Sequence, residues 1–140
     1  MKIFLRILLG LVMLVAGSGK LIDLPAFVLI LRTYRFFPEE LLWPAAVAVT
    51  AAELLLGIWL LWGRQLLYAA LTAAFLHATY AIWGSYMLLR GKPIISCGCF
   101  GSLVTRPLSW STVTFNLILI AIAATVACLC KKSAGAISDA

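Results

Sequence analysis

The chain has 140 residues, of which 64% are hydrophobic and 11% are charged, and its formal net charge is +6. Soluble domains average about a quarter charged residues, and a chain of this length could not bury so much apolar surface in one core. The composition therefore excludes a soluble globular protein. The basic residues flank apolar runs, as membrane anchors do, and no basic stripe is interleaved with aromatic residues, so we also exclude nucleic-acid binding.

We predict an all-α polytopic membrane protein, a bundle of four transmembrane helices that forms one domain over residues 1–130. Each span has the roughly 20 apolar residues that a bilayer crossing needs. The first also resembles a secretory signal peptide, but three further spans follow, so an uncleaved helix is the simpler interpretation. The predicted spans are residues 3–19, 42–62, 66–89 and 110–130, and residues 131–140 are predicted to be a flexible polar tail.

The longest connection between the first spans, residues 20–41, is amphipathic in places. Apolar residues recur there at helical spacing, and charged residues keep the segment out of the hydrocarbon. We predict a short helix that begins at Pro25, lies at the interface or folds back on the bundle, and is ended by Pro38. In the turn before it, Lys20 and Asp23 are expected to hydrogen-bond at the interface or to cap that helix.

Glu53 and His77 each lie near the middle of a predicted span. A charged side chain at that depth costs about 2.5–3.5 kcal/mol on insertion scales. Residues 63–65 link the two spans so tightly that the helices should be antiparallel neighbours, with the two side chains at similar depth. We predict a hydrogen bond or ion pair between them, which serves either a proton relay or quinone site or only the registry of the helices.

The polar loop before the last span contains the run Cys97-Gly98-Cys99-Phe100-Gly101. Two thiols separated by one residue reach disulfide distance if the backbone bends, and glycine accepts the positive φ that a bend needs. A disulfide in so small a ring is strained, and strained disulfides are the labile or catalytic ones. Nearby cations lower a thiol pKa, and the loop carries Arg90, Lys92 and Arg106.

Other roles for the cysteines are open at this point. Cys97 and Cys99 could simply pack, or could hold copper(I) or zinc. Two sulfurs are an incomplete zinc set and no histidine lies nearby in sequence, so we assign no metal site. Cys128 and Cys130 lie at the far end of the last span on opposite sides of a helix, and we interpret them as structural.

Several motifs follow one another in the order of a known family. They are the GSGKLID turn from Gly17, the exit Pro38-Glu39, Glu53 with Gly57 and Leu60-Leu61, the CGCFG loop, and a Ser/Trp entry to the last span with Asn116. Over residues 11–127 the chain resembles the MauE branch of the DoxX-like membrane proteins. That family usually has an arginine before the asparagine, where this chain has Phe115.

The resemblance implies a multi-pass protein of the bacterial inner membrane. MauE proteins are associated with methylamine utilisation and are thought to help mature the disulfide-rich small subunit of methylamine dehydrogenase. Disulfides persist in the periplasm, so we expect the CGCFG loop on that side and the termini in the cytoplasm, although the charge distribution alone does not orient the chain.

The expected function is thus periplasmic thiol–disulfide exchange, or disulfide-dependent protein maturation, by a component of a thiol–disulfide oxidoreductase system. Cys97 and Cys99 are the predicted exchanging pair, and the partner is a thioredoxin-like protein or a disulfide-rich client. A quinone near Glu53 and His77 is the candidate cofactor. The predicted supporting residues are Lys20, Asp23, Gly98, Gly101 and Asn116. The alternatives are a non-enzymatic membrane subunit or assembly factor, and a small metal or solute carrier.

Overall fold

The computed structural model describes residues 1–91, 94, 96–101 and 106–138, and the side chains of these except 132–138. Among the described residues, four helices are long and apolar enough to cross a membrane, which confirms the predicted all-α fold. The helices are α1 (Lys2–Ile22), α2 (Leu24–Tyr34), α3 (Leu42–Trp62), α4 (Leu66–Leu89) and α5 (Trp110–Ser138), with a short 3-10 turn at Glu39–Leu41.

The ends of the spans follow local backbone chemistry. Helix α3 ends at Gly63, whose φ of +80° is in the left-handed region and whose N–H donates to the Trp59 carbonyl. Helix α5 continues to Ser138, beyond the end predicted at residue 130. Residues 131–138 are therefore helical, and the flexibility of the tail at residues 131–140 stays a prediction. Residues 139–140 lie outside the described residues.

The helices pack mainly as two pairs, α1 against α3 and α4 against α5, and α3 contacts α4 less extensively. Glycine permits the close approach in the first pair, as is usual between membrane helices. A Cβ atom added at Gly57 would lie 2.7 Å from Leu14 Cγ and 3.0 Å from the carbonyl oxygen of Gly10. All four spans contribute to the main core, which includes Leu9, Met13, Leu56, Leu60, Ala69, Ala70, Ala73, Leu119, Ala123 and Val126.

Helix α2 folds back onto the first half of α3. The Asp23 carboxylate accepts a hydrogen bond from Ala26 N at 3.0 Å and caps the helix, one of the two roles expected for it. The helix ends at Arg35, which adopts a left-handed φ of 51°, and not at Pro38 as predicted. Pro38 instead precedes the 3-10 turn. The buried face of α2 and its counterpart on α3 consist of Phe27, Val28, Leu42 and Ala46.

Candidate functional site

The CGCFG loop turns back into the bundle and contacts the end of α1. Gly98 and Gly101 have φ values of +71° and +63°, so the two glycines supply the backbone freedom expected of them. A Cβ atom added at Gly101 would lie 2.6 Å from the carbonyl carbon of Gly19 and 2.7 Å from Lys20 N. The loop and the helix therefore touch main chain to main chain.

Side chains from α1 and α2 bind the loop backbone. Lys20 Nζ donates to the Cys99 carbonyl at 2.7 Å, and the Tyr34 hydroxyl donates to the Cys97 carbonyl at 2.8 Å. Cys97 N donates to the Arg106 carbonyl, also at 2.8 Å. Backbone polar groups that the protein buries need hydrogen-bond partners, and these bonds supply them to the loop.

Lys20 and Glu53 form a buried ion pair at the centre of the site. Their side chains are 2% and 3% exposed, and Lys20 Nζ lies 2.7 Å from Glu53 Oε2. The Tyr80 hydroxyl donates to the other carboxylate oxygen at 2.8 Å. An opposite charge and a further hydrogen bond are what a buried carboxylate requires, so Lys20 is a central residue of the site and is not at the interface.

The predicted contact between Glu53 and His77 is wrong. His77 Nδ1 lies 2.9 Å from Asn116 Oδ1, and Asn116 Nδ2 donates to the Thr112 carbonyl at 2.9 Å. The reason is the packing: α3 lies mainly against α1, and α4 against α5, so equal depth along two helices does not make their side chains face one another. The His77–Asn116 hydrogen bond therefore supports the registry of α4 against α5.

A small cavity nevertheless joins the two polar groups. Its volume is about 20 Å³, and its lining includes Glu53, His77, Tyr80, Cys99 and Asn116. That volume accommodates about one water molecule. His77 Nε2 is buried and has no hydrogen-bond partner within the described part of the chain.

Cys97 and Cys99 are free, half-buried thiols with unequal acidity. The hydrogen bond from the Cys99 thiol stabilises the Cys97 thiolate and lowers the pKa of Cys97, and burial only partly opposes this. The same bond, together with burial, raises the pKa of Cys99. The partner thiol is thus the main cause, and not the loop cations; of these, Lys92 lies outside the described residues. Cys97 is the more nucleophilic sulfur.

Both thiols also line a larger cavity of about 350 Å³, together with Lys20. Exposed residues lie at its edge: Phe36 is 57% and Ile82 is 70% exposed. Ile82 lies within the membrane span α4, so the cavity reaches the outer surface of that span. Its aromatic lining comprises Phe27, Tyr34, Phe36, Phe37, Tyr80 and Trp83.

The structure brings most of the predicted site residues together. Those that meet are Lys20, Glu53, His77, Cys97, Gly98, Cys99, Gly101 and Asn116. Asp23 is apart from them as a helix cap. Cys128 is exposed and Cys130 packs against the main core, away from the loop.

Sequence reasoning missed Tyr34 and Tyr80. Tyr80 lies three residues after His77 on α4, on the same helix face, and this spacing was the available signal. Tyr34 is the last residue of α2 and carried no comparable signal.

Four apolar helices with a dithiol loop folded between them define a small multi-pass membrane protein. The family model described as methylamine utilisation protein MauE matches residues 1–129, and the chain belongs to that family. The resemblance predicted from the motifs is thereby confirmed.

Two relatives carry the same description. The chain is 32% identical over 123 residues to the methylamine utilization protein MauE of Paracoccus denitrificans, covering 88% of this chain and 66% of that protein. It is 30% identical over 125 residues to the one of Paracoccus versutus, with 89% and 67% covered. The chain thus spans about two thirds of the length of the curated relatives it matches. No solved structure matches the chain.

Proposed function

We propose that this protein is a membrane component of thiol–disulfide exchange that supports disulfide-dependent protein maturation in methylamine utilisation. The observation that carries the proposal is the geometry of the CGCFG loop, which holds two free thiols, Cys97 and Cys99, one residue apart in the wall of one cavity. The interaction between them lowers the pKa of Cys97 and raises that of Cys99. A pair of this kind divides the roles of exchange, because the thiolate attacks and the second thiol resolves. The names of the two relatives supply the pathway.

The exchange has two balanced steps. The Cys97 thiolate attacks a disulfide of the partner, a mixed disulfide forms, and one partner sulfur leaves as a thiolate. Cys99 then loses its proton and attacks the Cys97 sulfur, which releases the second partner thiolate and leaves a Cys97–Cys99 disulfide. The reverse sequence oxidises a partner dithiol, and the relative reduction potentials set the direction. The partner is a thioredoxin-like protein or a disulfide-rich client.

The proposal includes a location. Disulfides form and persist in the periplasm, so the CGCFG loop faces that side of the bacterial inner membrane and both termini lie in the cytoplasm. The even number of spans is compatible with termini on one side.

A membrane-impermeant thiol reagent tests both the chemistry and the orientation in intact cells. The background is Cys128→Ser with Cys130→Ser, so that only Cys97 and Cys99 react. Protection that disappears after reduction is the expected result, since it reports an outward-facing disulfide. Thiols that label at once and are unchanged by reduction would contradict cycling, and labelling only after lysis would contradict the orientation.

A second assay separates the two sulfurs. In the same background, Cys99→Ser leaves the attacking thiol without a resolving thiol, so mixed disulfides with the partner should accumulate on non-reducing gels. Cys97→Ser should accumulate far fewer. Equal accumulation in the two variants would contradict the assigned roles.

One observation favours a non-enzymatic assembly factor. The loop is closely packed against Gly19 and bonded by Lys20 and Tyr34, as a purely structural loop would be. If the double variant Cys97→Ser with Cys99→Ser supports the growth of cells on methylamine as well as the parent protein does, the assembly role is correct. A metal carrier has less support, since no group of three or more His, Cys, Asp or Glu residues in the described segments could hold an ion.

A further inference from the structure

The cavity beside the thiols has the size and lining of a small-molecule site. Its volume of about 350 Å³ falls within the ~300–1,000 Å³ of ligand pockets. The Phe36 ring lies 4.4 Å from the Trp83 ring and 4.6 Å from the Phe37 ring, both in edge contacts. An aromatic wall of this kind suits a flat, apolar ring.

The position of the opening favours one class of ligand. Ile82, at the edge of the cavity, belongs to the membrane span α4 and is 70% exposed, so this side of the cavity faces lipid. A lipid-soluble ligand therefore has a direct route into the cavity from the bilayer.

Lys20 supplies one polar contact for that ligand. An ammonium group has three N–H donors, and Lys20 Nζ uses two, to Glu53 and to the Cys99 carbonyl. In the described part of the chain the third has no hydrogen-bond acceptor, although the centroid of the Phe27 ring lies 5.4 Å from Nζ, and Lys20 lines the cavity although its side chain is 2% exposed. Because Glu53 already neutralises the charge, a neutral carbonyl oxygen suits the remaining donor better than an anion.

We propose that this cavity binds a lipid-soluble quinone, which accepts the electrons of the Cys97–Cys99 dithiol. The inference rests on the thiol chemistry proposed above and adds its electron acceptor. Two S–H bonds break and one S–S bond forms, while two electrons and two protons convert the quinone to its hydroquinone. One dithiol and one quinone thus become one disulfide and one hydroquinone.

The test uses the full-length protein, reduced and freed of reductant in lipid nanodiscs, with decylubiquinone as the probe. Its ring is fully substituted, so a thiol cannot add to a ring carbon. The expected result is one hydroquinone formed per dithiol lost. Oxidised glutathione serves as a second, water-soluble oxidant. If glutathione disulfide oxidises the pair and decylubiquinone does not, the quinone site is overturned and the exchange function stands; if neither does, the exchange function itself fails.

A blocking variant with a matched control locates the reaction. Thr79 is exposed on α4 and lines the cavity, and its hydroxyl bonds only its own helix at Phe75. Thr72 is likewise exposed and bonds its own helix at Tyr68, and it does not line the cavity. Thr79→Trp should slow the quinone reaction by roughly tenfold, the equivalent of about 1.4 kcal/mol. Thr72→Trp should not slow it, and both variants should react with oxidised glutathione as the parent does.

Equal quinone rates in Thr79→Trp and Thr72→Trp would overturn the assignment of this cavity. Decylbenzene, which has the alkyl tail and ring but no carbonyl groups, provides a competitor. Inhibition by decylbenzene as strong as that by the hydroquinone product would show that the cavity accepts any lipid chain, and would also overturn the proposal.

Discussion

The two cysteines of the loop look equivalent in sequence but differ in the structure. The interaction between the two thiols lowers the pKa of Cys97 and, together with burial, raises that of Cys99. The spacing of the two cysteines is symmetrical about Gly98, so the sequence could predict an exchanging pair but not which sulfur attacks. That assignment depends on the surroundings of each thiol in the folded loop.

Replacing Cys99 tests whether a hydrogen bond from residue 99 lowers the pKa of Cys97. The thiolate is the reactive form, so a lowered pKa moves the alkylation profile of Cys97 to lower pH. Cys99→Ser retains a donor and should keep the profile low, whereas Cys99→Ala removes the donor and should move it to higher pH. The measurement is the rate of iodoacetamide labelling against pH, with Cys128 and Cys130 replaced by serine. If Cys97 has the same alkylation profile in Cys99→Ser and in Cys99→Ala, a hydrogen bond from residue 99 is not the cause of the lowered pKa.

The buried Lys20–Glu53 pair should be sensitive to the loss of one partner. Lys20→Met leaves a buried carboxylate without its cation, which costs about 3–5 kcal/mol of unfolding free energy. The measurement is thermal unfolding in detergent. Lys20→Met combined with Glu53→Met should recover much of the loss, because an apolar pair needs no charge compensation.

The Arg32–Glu39 pair provides the matched control. Its side chains are 58% and 64% exposed, and exposed pairs contribute about 0–1 kcal/mol. Arg32→Met should therefore change stability little. A loss as large as that of Lys20→Met would show that removal of any cation, and not burial, is responsible.

At the scale of elements, the loop depends on the glycine at its end. Gly101→Ala should both force a side chain into left-handed backbone, at about 1–2 kcal/mol, and displace the loop from Gly19. Gly91 has the same φ of +63° with nothing within 4 Å of an added Cβ, so Gly91→Ala incurs the backbone cost alone. Gly101→Ala should be the less stable variant and should expose Cys97 to faster alkylation. Equal stability and equal Cys97 alkylation in Gly101→Ala and Gly91→Ala would show that the contact between Gly101 and Gly19 contributes nothing.

The helices themselves were predictable, whereas their partners were not. Long apolar runs and the turn at residues 63–65 define the spans, because a bilayer sets their length. The direction in which a buried side chain points around its helix depends on which helices pack together. Glu53 and His77 were predicted at similar depth but bind different partners. For Lys20, its position in the turn after the first span predicted a hydrogen bond at the interface or a helix cap. Its long side chain instead reaches inward to Glu53.

Across the whole molecule, one carboxylate connects the two helix pairs. Glu53 on α3 binds Lys20 of α1 and also Tyr80 of α4, and α3 and α4 otherwise pack less closely than the partners within each pair. The site therefore lies where the pairs meet, which is why residues far apart in sequence converge there. Sequence patterns predict the spans and the motifs, but they do not predict where the two helix pairs pack against each other.

Removing the Tyr80 hydroxyl should weaken the link between the pairs. Tyr80→Phe deletes one hydrogen bond to a charged group, a loss of about 1.5–3 kcal/mol, while the ring stays in place. Tyr68 on the same helix is 62% exposed, so Tyr68→Phe should be neutral. Thermal unfolding in detergent compares the two, and equal midpoints would show that Tyr80 contributes no link.

The contact between Gly101 and Gly19 has a consequence for how this protein tolerates change. Main-chain atoms meet at this contact, so the repacking of neighbouring side chains cannot make room for a longer loop there. Chain length between residues 97 and 101 is consequently constrained more tightly than residue identity at Phe100. A single inserted residue there would shift the Cys99 carbonyl away from Lys20, however conservative its side chain.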